Sequence, residues 1–139
     1  MTEHDVQNQI LDFLRYSGHY AQRINSGSSF GINNGKTWRI KNCDAGTPDI
    51  FACVHGNFVA FEVKKDQKTV DTWKRKVESY KKTSVLSNYS MREIQQYKSM
   101  CQIEKAGGLA FVVSSVDEVK AVCDKLKSHG IDHVVGEGV

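Results

Sequence analysis

Residues 46–65 read GTPDIFACVHGNFVAFEVKK, and this stretch decides the fold. It contains two apolar segments, residues 50–54 and residues 58–64, which are separated by Gly56-Asn57. Glycine and asparagine adopt positive φ readily, so this dipeptide between two apolar segments is typical of a two-residue turn. The stretch therefore predicts a β-hairpin.

The alternation of side chains along the hairpin predicts one charged face and one apolar face. If the dipeptide forms the whole turn, Phe51 pairs with Glu62 and Asp49 pairs with Lys64. Paired residues, and residues two apart on one strand, point to the same side of a sheet. Asp49, Glu62 and Lys64 therefore share a face, and a bulge at the turn would change the pairing without changing the faces. The opposite face is wholly apolar: Ile50, Ala52, Val54, Val59, Phe61 and Val63.

Two carboxylates and a lysine on one face suit metal-assisted hydrolysis of a phosphodiester. Mg²⁺ prefers oxygen and is typically held by one or two carboxylates together with water and phosphate oxygens. Asp49 and Glu62 supply such carboxylates, and the backbone carbonyl of Val63 offers a further oxygen. Lys64 could orient or deprotonate the attacking water and stabilise the transition state. The alternative is a surface salt bridge, which contributes little to stability.

The remaining chain alternates helices and strands, without an internal repeat or a linker between domains. Helical periodicity predicts helices over residues 3–16, 69–82, 90–106 and from 115 or 117 to about 128. Strands are predicted over residues 20–25, 36–42, 109–114 and 131–135. The Gly-, Ser- and Asn-rich residues 26–35 are predicted to be a loop. The fold class is therefore α/β, with a mixed β-sheet core flanked by helices in a single domain of 139 residues.

Composition narrows the class of protein. Hydrophobic residues make up 40% and charged residues 25%, as in globular domains. The longest apolar runs are too short to cross a membrane, and the polar N-terminus lacks a secretory signal, so we expect a cytoplasmic protein. The cysteines form no C-x-x-C pair, which favours reduced, mostly buried thiols over zinc ligands or disulfides. They are Cys43, Cys53, Cys101 and Cys123.

Positive charge is concentrated in one segment. The whole chain has a net charge of +3, but residues 64–82 alone contain eight Lys and Arg against three Asp and Glu. A local basic excess suits a polyanionic partner. A solvated helix face is the alternative explanation.

Gly46-Thr47-Pro48-Asp49, followed by Phe61-Glu62-Val63-Lys64-Lys65, resembles the PD-(D/E)XK nuclease superfamily. More narrowly it resembles the stand-alone VRR-Nuc type, which is similar in layout to Holliday-junction resolvases. The resemblance covers residues 3–119. It implies a restriction-endonuclease-like fold and an endonuclease that uses Mg²⁺ or Mn²⁺, without an organic cofactor, to hydrolyse duplex or branched DNA. Such an enzyme would be selective for junctions or flaps, or would nick, and one active site per small domain suggests a homodimer.

The resemblance also extends to residues outside the hairpin. Glu3 matches an additional acidic residue on the first helix and is implied to be a further carboxylate of the metal site, although it could serve only to stabilise the helix N-terminus. Gln96 matches a supporting glutamine on a later helix, with Gln95 as the alternative. The segment from Arg23 to Gly27 resembles an Arg-x-Asn-x-Gly motif, although it could be turn chemistry. The implied DNA-binding residues are Arg23, Asn25, Ser26, Gly27 and Lys65.

This sequence departs from the family pattern between Lys64 and Gln96, which are 32 positions apart. The extra piece, about residues 66–88, is predicted to be a basic helical insertion. It could bind DNA, form a dimer or be a decorated loop. Two other functions stay open: a DNA-binding module that keeps the fold without cutting, and a nuclease that acts on RNA.

Overall fold

The computed structural model describes residues 1–24, 28–41 and 43–136. Helices and strands follow one another in the α/β manner expected. In chain order they are α1 (Glu3–Tyr16), β1 (Tyr20–Arg23), β2 (Ser28–Asn33), β3 (Lys36–Lys41), β4 (Ile50–Val54), β5 (Asn57–Val63), α2 (Gln67–Thr83), α3 (Met91–Lys105), β6 (Leu109–Val113) and α4 (Val116–Gly136).

A four-stranded mixed sheet with the order β1-β4-β5-β6 forms the centre of the fold. Strand β4 pairs antiparallel with β1 and with β5, whereas β5 and β6 are parallel. A parallel pair needs a long crossover connection, and α2 and α3 provide it. The predicted mixed sheet flanked by helices is therefore confirmed.

Helices cover both faces of this sheet. The apolar face predicted for the hairpin is buried and packs against α1 and α4, through residues that include Ile10, Leu14 and Val119. On the other face, α2 and α3 pack together and against β6, with Trp73 and Ile94 in their shared cluster. The charged face predicted for the hairpin is the face that α2 and α3 cover. The described residues contain no helix that is both long and apolar enough to cross a bilayer.

The turn of the β4–β5 hairpin lies one residue earlier than predicted. His55 and Gly56 have φ values of 48° and 82°, as a two-residue hairpin turn with two left-handed residues requires. Asn57 is instead the first residue of β5, and its Nδ2 donates to the backbone carbonyls of Val54 and His55 at 3.2 Å each. These side-chain hydrogen bonds explain why Asn57 belongs to the strand.

The earlier turn changes the pairing but keeps the two faces. Phe51 pairs with Ala60 rather than with Glu62, so the predicted pairing is wrong by two residues. A shift of two preserves the side to which each residue points. Continued by one residue beyond Ile50, the observed register places Asp49 opposite Glu62 instead of Lys64.

Two other predicted elements are wrong. Residues 28–33 form strand β2, which pairs with β3 in a separate two-stranded sheet, rather than a loop. Asn34 and Gly35 form the turn with φ values of 52° and 78°. The polar composition of these residues does not predict a strand, because strand formation depends on the pairing partner more than on the intrinsic β-propensity of the residues. Residues 131–135 continue α4, since Ile131, Val134 and Val135 are spaced for a helix as well as for a strand.

The expectation of mostly buried cysteines is also wrong. All four cysteines lie in the described part of the chain, and of these Cys123 alone is buried. Cys53 and Cys101 are exposed and Cys43 is partly buried. Cys53 is on the side of β4 opposite the apolar face, near the hairpin turn, which explains its exposure.

Candidate active site

The hairpin brings two carboxylates together at the base of β4 and β5. Asp49 immediately precedes β4, and its Oδ2 accepts a hydrogen bond from the backbone N–H of Val63 at 2.7 Å. Glu62 lies on β5 and is only 3% exposed. Its Oε2 is buried and has no hydrogen-bond partner within the described residues. The site therefore contains a carboxylate oxygen with unused lone pairs, which is costly unless a ligand binds it.

The electrostatics of Glu62 reflect this enclosure. Burial and the negative charge of Asp49 raise the pKa of Glu62 to about 8, although the positive charge of Lys64 opposes the shift. Burial and Asp49 also raise the pKa of Glu3. The carboxylates thus repel one another in a poorly solvated place, and a bound cation would relieve that repulsion.

Lys64 is buried beside the carboxylates. Its Nζ lies 3.6 Å from Oε1 of Glu62 and donates to Oε1 of Gln96 at 3.0 Å. The backbone N–H of Lys64 donates to the carbonyl of Val113 at 2.8 Å, which continues the ladder from β5 to β6. Burying an ammonium group costs free energy unless the charge is paired, and here Glu62 and Gln96 both contact it.

Gln96, and not Gln95, contacts Lys64. Gln96 is buried on α3, whereas Gln95 is exposed. Oε1 of Gln96 accepts from Lys64 Nζ and also from Nε1 of Trp73 at 2.9 Å. Both neighbours carry only donors, so the amide must turn its oxygen toward them, and both lone pairs of that oxygen are used.

Trp73 is the residue of this site that the sequence analysis missed. It lies in the predicted insertion, residues 66–88, where the sequence predicts no site residue. In the structure α2 packs on α3, and Lys76 Nζ donates to Glu93 Oε1 at 2.9 Å one turn after Trp73. The sequence offered one signal for this role, because the indole N–H of a buried tryptophan usually donates a hydrogen bond to an acceptor. The extra segment therefore reaches the candidate site.

At Gly46 the loop before the hairpin packs closely against the backbone of α3. Its φ is +86°, and a Cβ at this position would lie 2.5 Å from the carbonyl carbon and oxygen of Gln95. Only a residue without a side chain allows the loop before β4 to approach the helix backbone this closely. Pro48, between this contact and Asp49, is fully buried. The GTPD stretch thus fixes Asp49 relative to the helix that carries Gln96.

Glu3 lies at the start of α1, within electrostatic range of Asp49 and Glu62. However, no three His, Cys, Asp or Glu side chains among the described residues form a group that could hold a metal ion. The structure therefore does not group Glu3 with Asp49 and Glu62 as a third direct ligand. Two carboxylates, one with an unpartnered buried oxygen, still fit Mg²⁺, which commonly completes its coordination with water and substrate oxygens.

The residues expected to bind DNA lie in different surroundings. The guanidinium of Arg23 donates to Gln7 Oε1 at 3.1 Å and to Asn8 Oδ1, so it is engaged with α1. Lys65 is exposed and lies two residues after the end of β5. The other three residues of this set, Asn25, Ser26 and Gly27, lie outside the described residues.

Comparisons with known proteins gave a structural likeness but no match of sequence. No family model matches the chain, and no curated protein matches it significantly. Among solved structures, a chain titled "VRR_NUC domain" is similar, with 19% sequence identity and a TM-score of 0.48. The alignment covers 93% of this chain and 98% of that chain.

Proposed function

We propose that this protein is a metal-dependent endonuclease that hydrolyses DNA phosphodiester bonds. The observation that carries the proposal is the position of Lys64. Its buried ammonium group lies between Glu62 Oε1 and Gln96 Oε1, beside the carboxylates of Asp49 and Glu62. Buried ionisable groups that converge in this way, with the pKa of Glu62 raised to about 8, favour a catalytic role over a structural one.

Asp49 and Glu62 would hold the metal ion, Mg²⁺ or Mn²⁺, with the backbone carbonyl of Val63 as a further ligand. When bound, the metal would make its water more acidic and neutralise charge on the phosphate. Glu62 supports this role because its Oε2 is buried without a partner in the described residues. The backbone N–H of Val63 orients the carboxylate of Asp49 by donating to its Oδ2. Glu3 would add negative charge nearby without direct coordination.

Lys64 would position the attacking water and stabilise the charge that develops on the phosphate oxygens. Its long side chain needs support to hold one geometry, and Gln96 provides this support through Oε1. Trp73 in turn holds Gln96 by its indole N–H. The chain of contacts from Trp73 to Lys64 would keep the ammonium group fixed during the reaction, as catalysis by preorganised charge requires.

The proposed substrate is DNA, because the chain has a local excess of basic residues and a site suited to phosphate chemistry. Lys65 and Arg23 would contact the phosphate backbone, together with Asn25, Ser26 and Gly27. One site hydrolyses one strand at a time, so cutting both strands of a duplex would be served by a homodimer.

The test is cleavage of labelled nucleic acids by the purified protein. The panel contains linear duplex, single strand, flap and four-way junction DNA, with a matched RNA strand, each in Mg²⁺, Mn²⁺ or EDTA. We expect DNA to be cut with either metal, EDTA to stop the reaction and Asp49→Ala to abolish it. Cutting that continues in EDTA would contradict the proposal. Binding to DNA without cutting in either metal would favour a non-catalytic module, and preferential cutting of the RNA strand would favour a ribonuclease.

A further inference from the structure

Helix α2 carries more positive charge than the whole protein. Its sequence, Gln67–Thr83, contains six Lys and Arg against two Asp and Glu, a surplus of four, whereas the whole chain has +3. The rest of the chain is therefore slightly acidic. This distribution makes α2 a surface that attracts a polyanion.

A groove of about 560 Å³ runs between α2 and the segment that leads to α3. Helix α2 lines it with the cations of Arg75 and Lys76 and the hydroxyl of Ser79. The opposite wall contains Ser87 and Tyr89. Cations and hydroxyl groups are the side chains that commonly contact phosphate oxygens, so this part of the lining suits a nucleic-acid backbone, while Tyr80 and Val85 add apolar surface.

Tyr89 adds an aromatic surface to the groove. It is 77% exposed, and Lys76 Nζ lies 4.1 Å from the centroid of its ring. The ammonium group covers one face of the ring, and the exposed fraction leaves the other face open. Exposed aromatic rings beside cations are the stacking platforms on which proteins bind single strands. Bases in a duplex are already stacked on one another, so only an unpaired base could use this ring.

The groove is next to the proposed active site on both helices. Trp73, which bonds to Gln96, lies one turn before Lys76 on α2. Lys76 pairs with Glu93, which lies one turn before Gln96 on α3. On both helices the groove therefore lies about one turn from the residues that hold Lys64.

We propose that the groove beside α2 binds an unpaired DNA strand next to the cleavage site. Arg75 contacts its phosphate groups and Tyr89 stacks on one of its bases. The inference rests on the proposed function, because the strand is that of the substrate. It assigns a role to the segment between Lys64 and Gln96, and it predicts a preference for DNA with a flap or a single-stranded tail over blunt duplex.

The test measures binding without cleavage, by fluorescence anisotropy in EDTA. One duplex is prepared blunt and with a single-stranded tail. We expect the wild type to favour the tailed form, and Tyr89→Ala to weaken its binding about tenfold while binding of the blunt form is unchanged. Tyr89→Phe keeps the ring and should bind as the wild type does. Arg75→Ala should weaken binding of the tailed form and reduce the dependence of affinity on salt by about one phosphate contact.

The matched control is Lys127→Ala, which removes an exposed lysine from α4 on the opposite side of the sheet. It should leave the preference for the tail intact. Equal binding of tailed and blunt DNA by the wild type would overturn the inference. It would also be overturned if Tyr89→Ala reduced the affinity for tailed and for blunt DNA by the same factor. Because no metal is present, these results are independent of cleavage. A protein that prefers tails but never cuts would overturn the proposed function alone, and one that cuts without such a preference would overturn this inference alone.

Discussion

The indole N–H of Trp73 donates a hydrogen bond to Oε1 of Gln96 at 2.9 Å. The same oxygen holds the ammonium group of Lys64 at 3.0 Å. Trp73 belongs to α2, so a segment that the sequence predicted only as a basic insertion contributes to the geometry of the site. Under the proposed function, α2 supports Lys64 without touching the substrate's reacting atoms.

Trp73→Phe should slow cleavage about tenfold, because Gln96 would lose one of its two donors and Lys64 would be held less firmly. The ring keeps most of its apolar area, so the free energy of unfolding should fall by only about 1 kcal/mol, the value of one buried hydrogen bond. Single-turnover cleavage with protein in excess and urea denaturation measure the two effects.

Val77→Ala is the matched control for Trp73→Phe, since it truncates a buried residue on the same face of α2 without removing a hydrogen bond. It should reduce stability and leave the cleavage rate of the folded protein near that of the wild type. In a Gln96→Ala background, Trp73→Phe should have no further effect on the rate, because the two residues act through one contact. Additive losses of rate would show that Trp73 acts by another route.

Gly46→Ala should destabilise the protein more than Gly18→Ala. Both glycines have a φ of +86°, so both substitutions incur the cost of a left-handed alanine, about 1 kcal/mol or more. A Cβ at Gly18 would meet nothing within 4 Å, whereas one at Gly46 would collide with the backbone of Gln95. Chemical denaturation gives the free energy of unfolding of each variant, and the difference between the two is the cost of the collision at Gly46. Equal losses of stability would show that the loop before β4 does not press on α3.

The metal-free protein should lose stability as the pH rises toward 8. The pKa of Glu62 is raised from 4.5 to about 8 by burial and by Asp49, so the folded state binds this proton more tightly than the unfolded state. The stabilisation is complete below about pH 4.5 and is lost as the pH rises through the folded pKa. A tenfold difference in proton affinity between the two states is worth about 1.4 kcal/mol, so the loss is on the order of a few kcal/mol.

Urea denaturation in EDTA at pH 5, 6.5 and 8 measures this loss. Glu62→Gln is the control, because a neutral amide of the same shape cannot titrate, and its stability should change much less over the same range. Mg²⁺ at pH 8 should restore stability to the wild type and not to Glu62→Gln. If the free energy of unfolding changed with pH by the same amount in the wild type and in Glu62→Gln, the raised pKa of Glu62 would be contradicted.

The part of the fold that could be predicted is the part fixed by hydrophobic alternation. Residues 50–63 have one apolar side, and burying that side requires Glu62 and Lys64 to point the other way, whatever the turn. The turn itself was predicted one residue late, because the side chain of Asn57 caps it from within the strand. Strand β2 was missed because its stability comes from pairing with β3, which composition does not encode.

The packing between distant segments could not be predicted for a different reason. Gln95 and Gln96 differ by about 100° around the axis of α3. Which of them meets Lys64 depends on how the helix is rotated over the sheet. That rotation is set by contacts such as Gly46 against the backbone of Gln95 and Trp73 against Gln96. Local periodicity contains no information about either contact.

Substitution of Lys64 tests most directly whether its ammonium group takes part in the chemistry. Lys64→Met keeps an unbranched side chain in the buried position and removes the ammonium group. We predict that single-turnover cleavage with Mg²⁺ falls by about 100-fold or more, whereas DNA affinity in EDTA changes little and Lys127→Ala cuts at the wild-type rate. A folded Lys64→Met protein that cuts DNA nearly as fast as the wild type would contradict the claim.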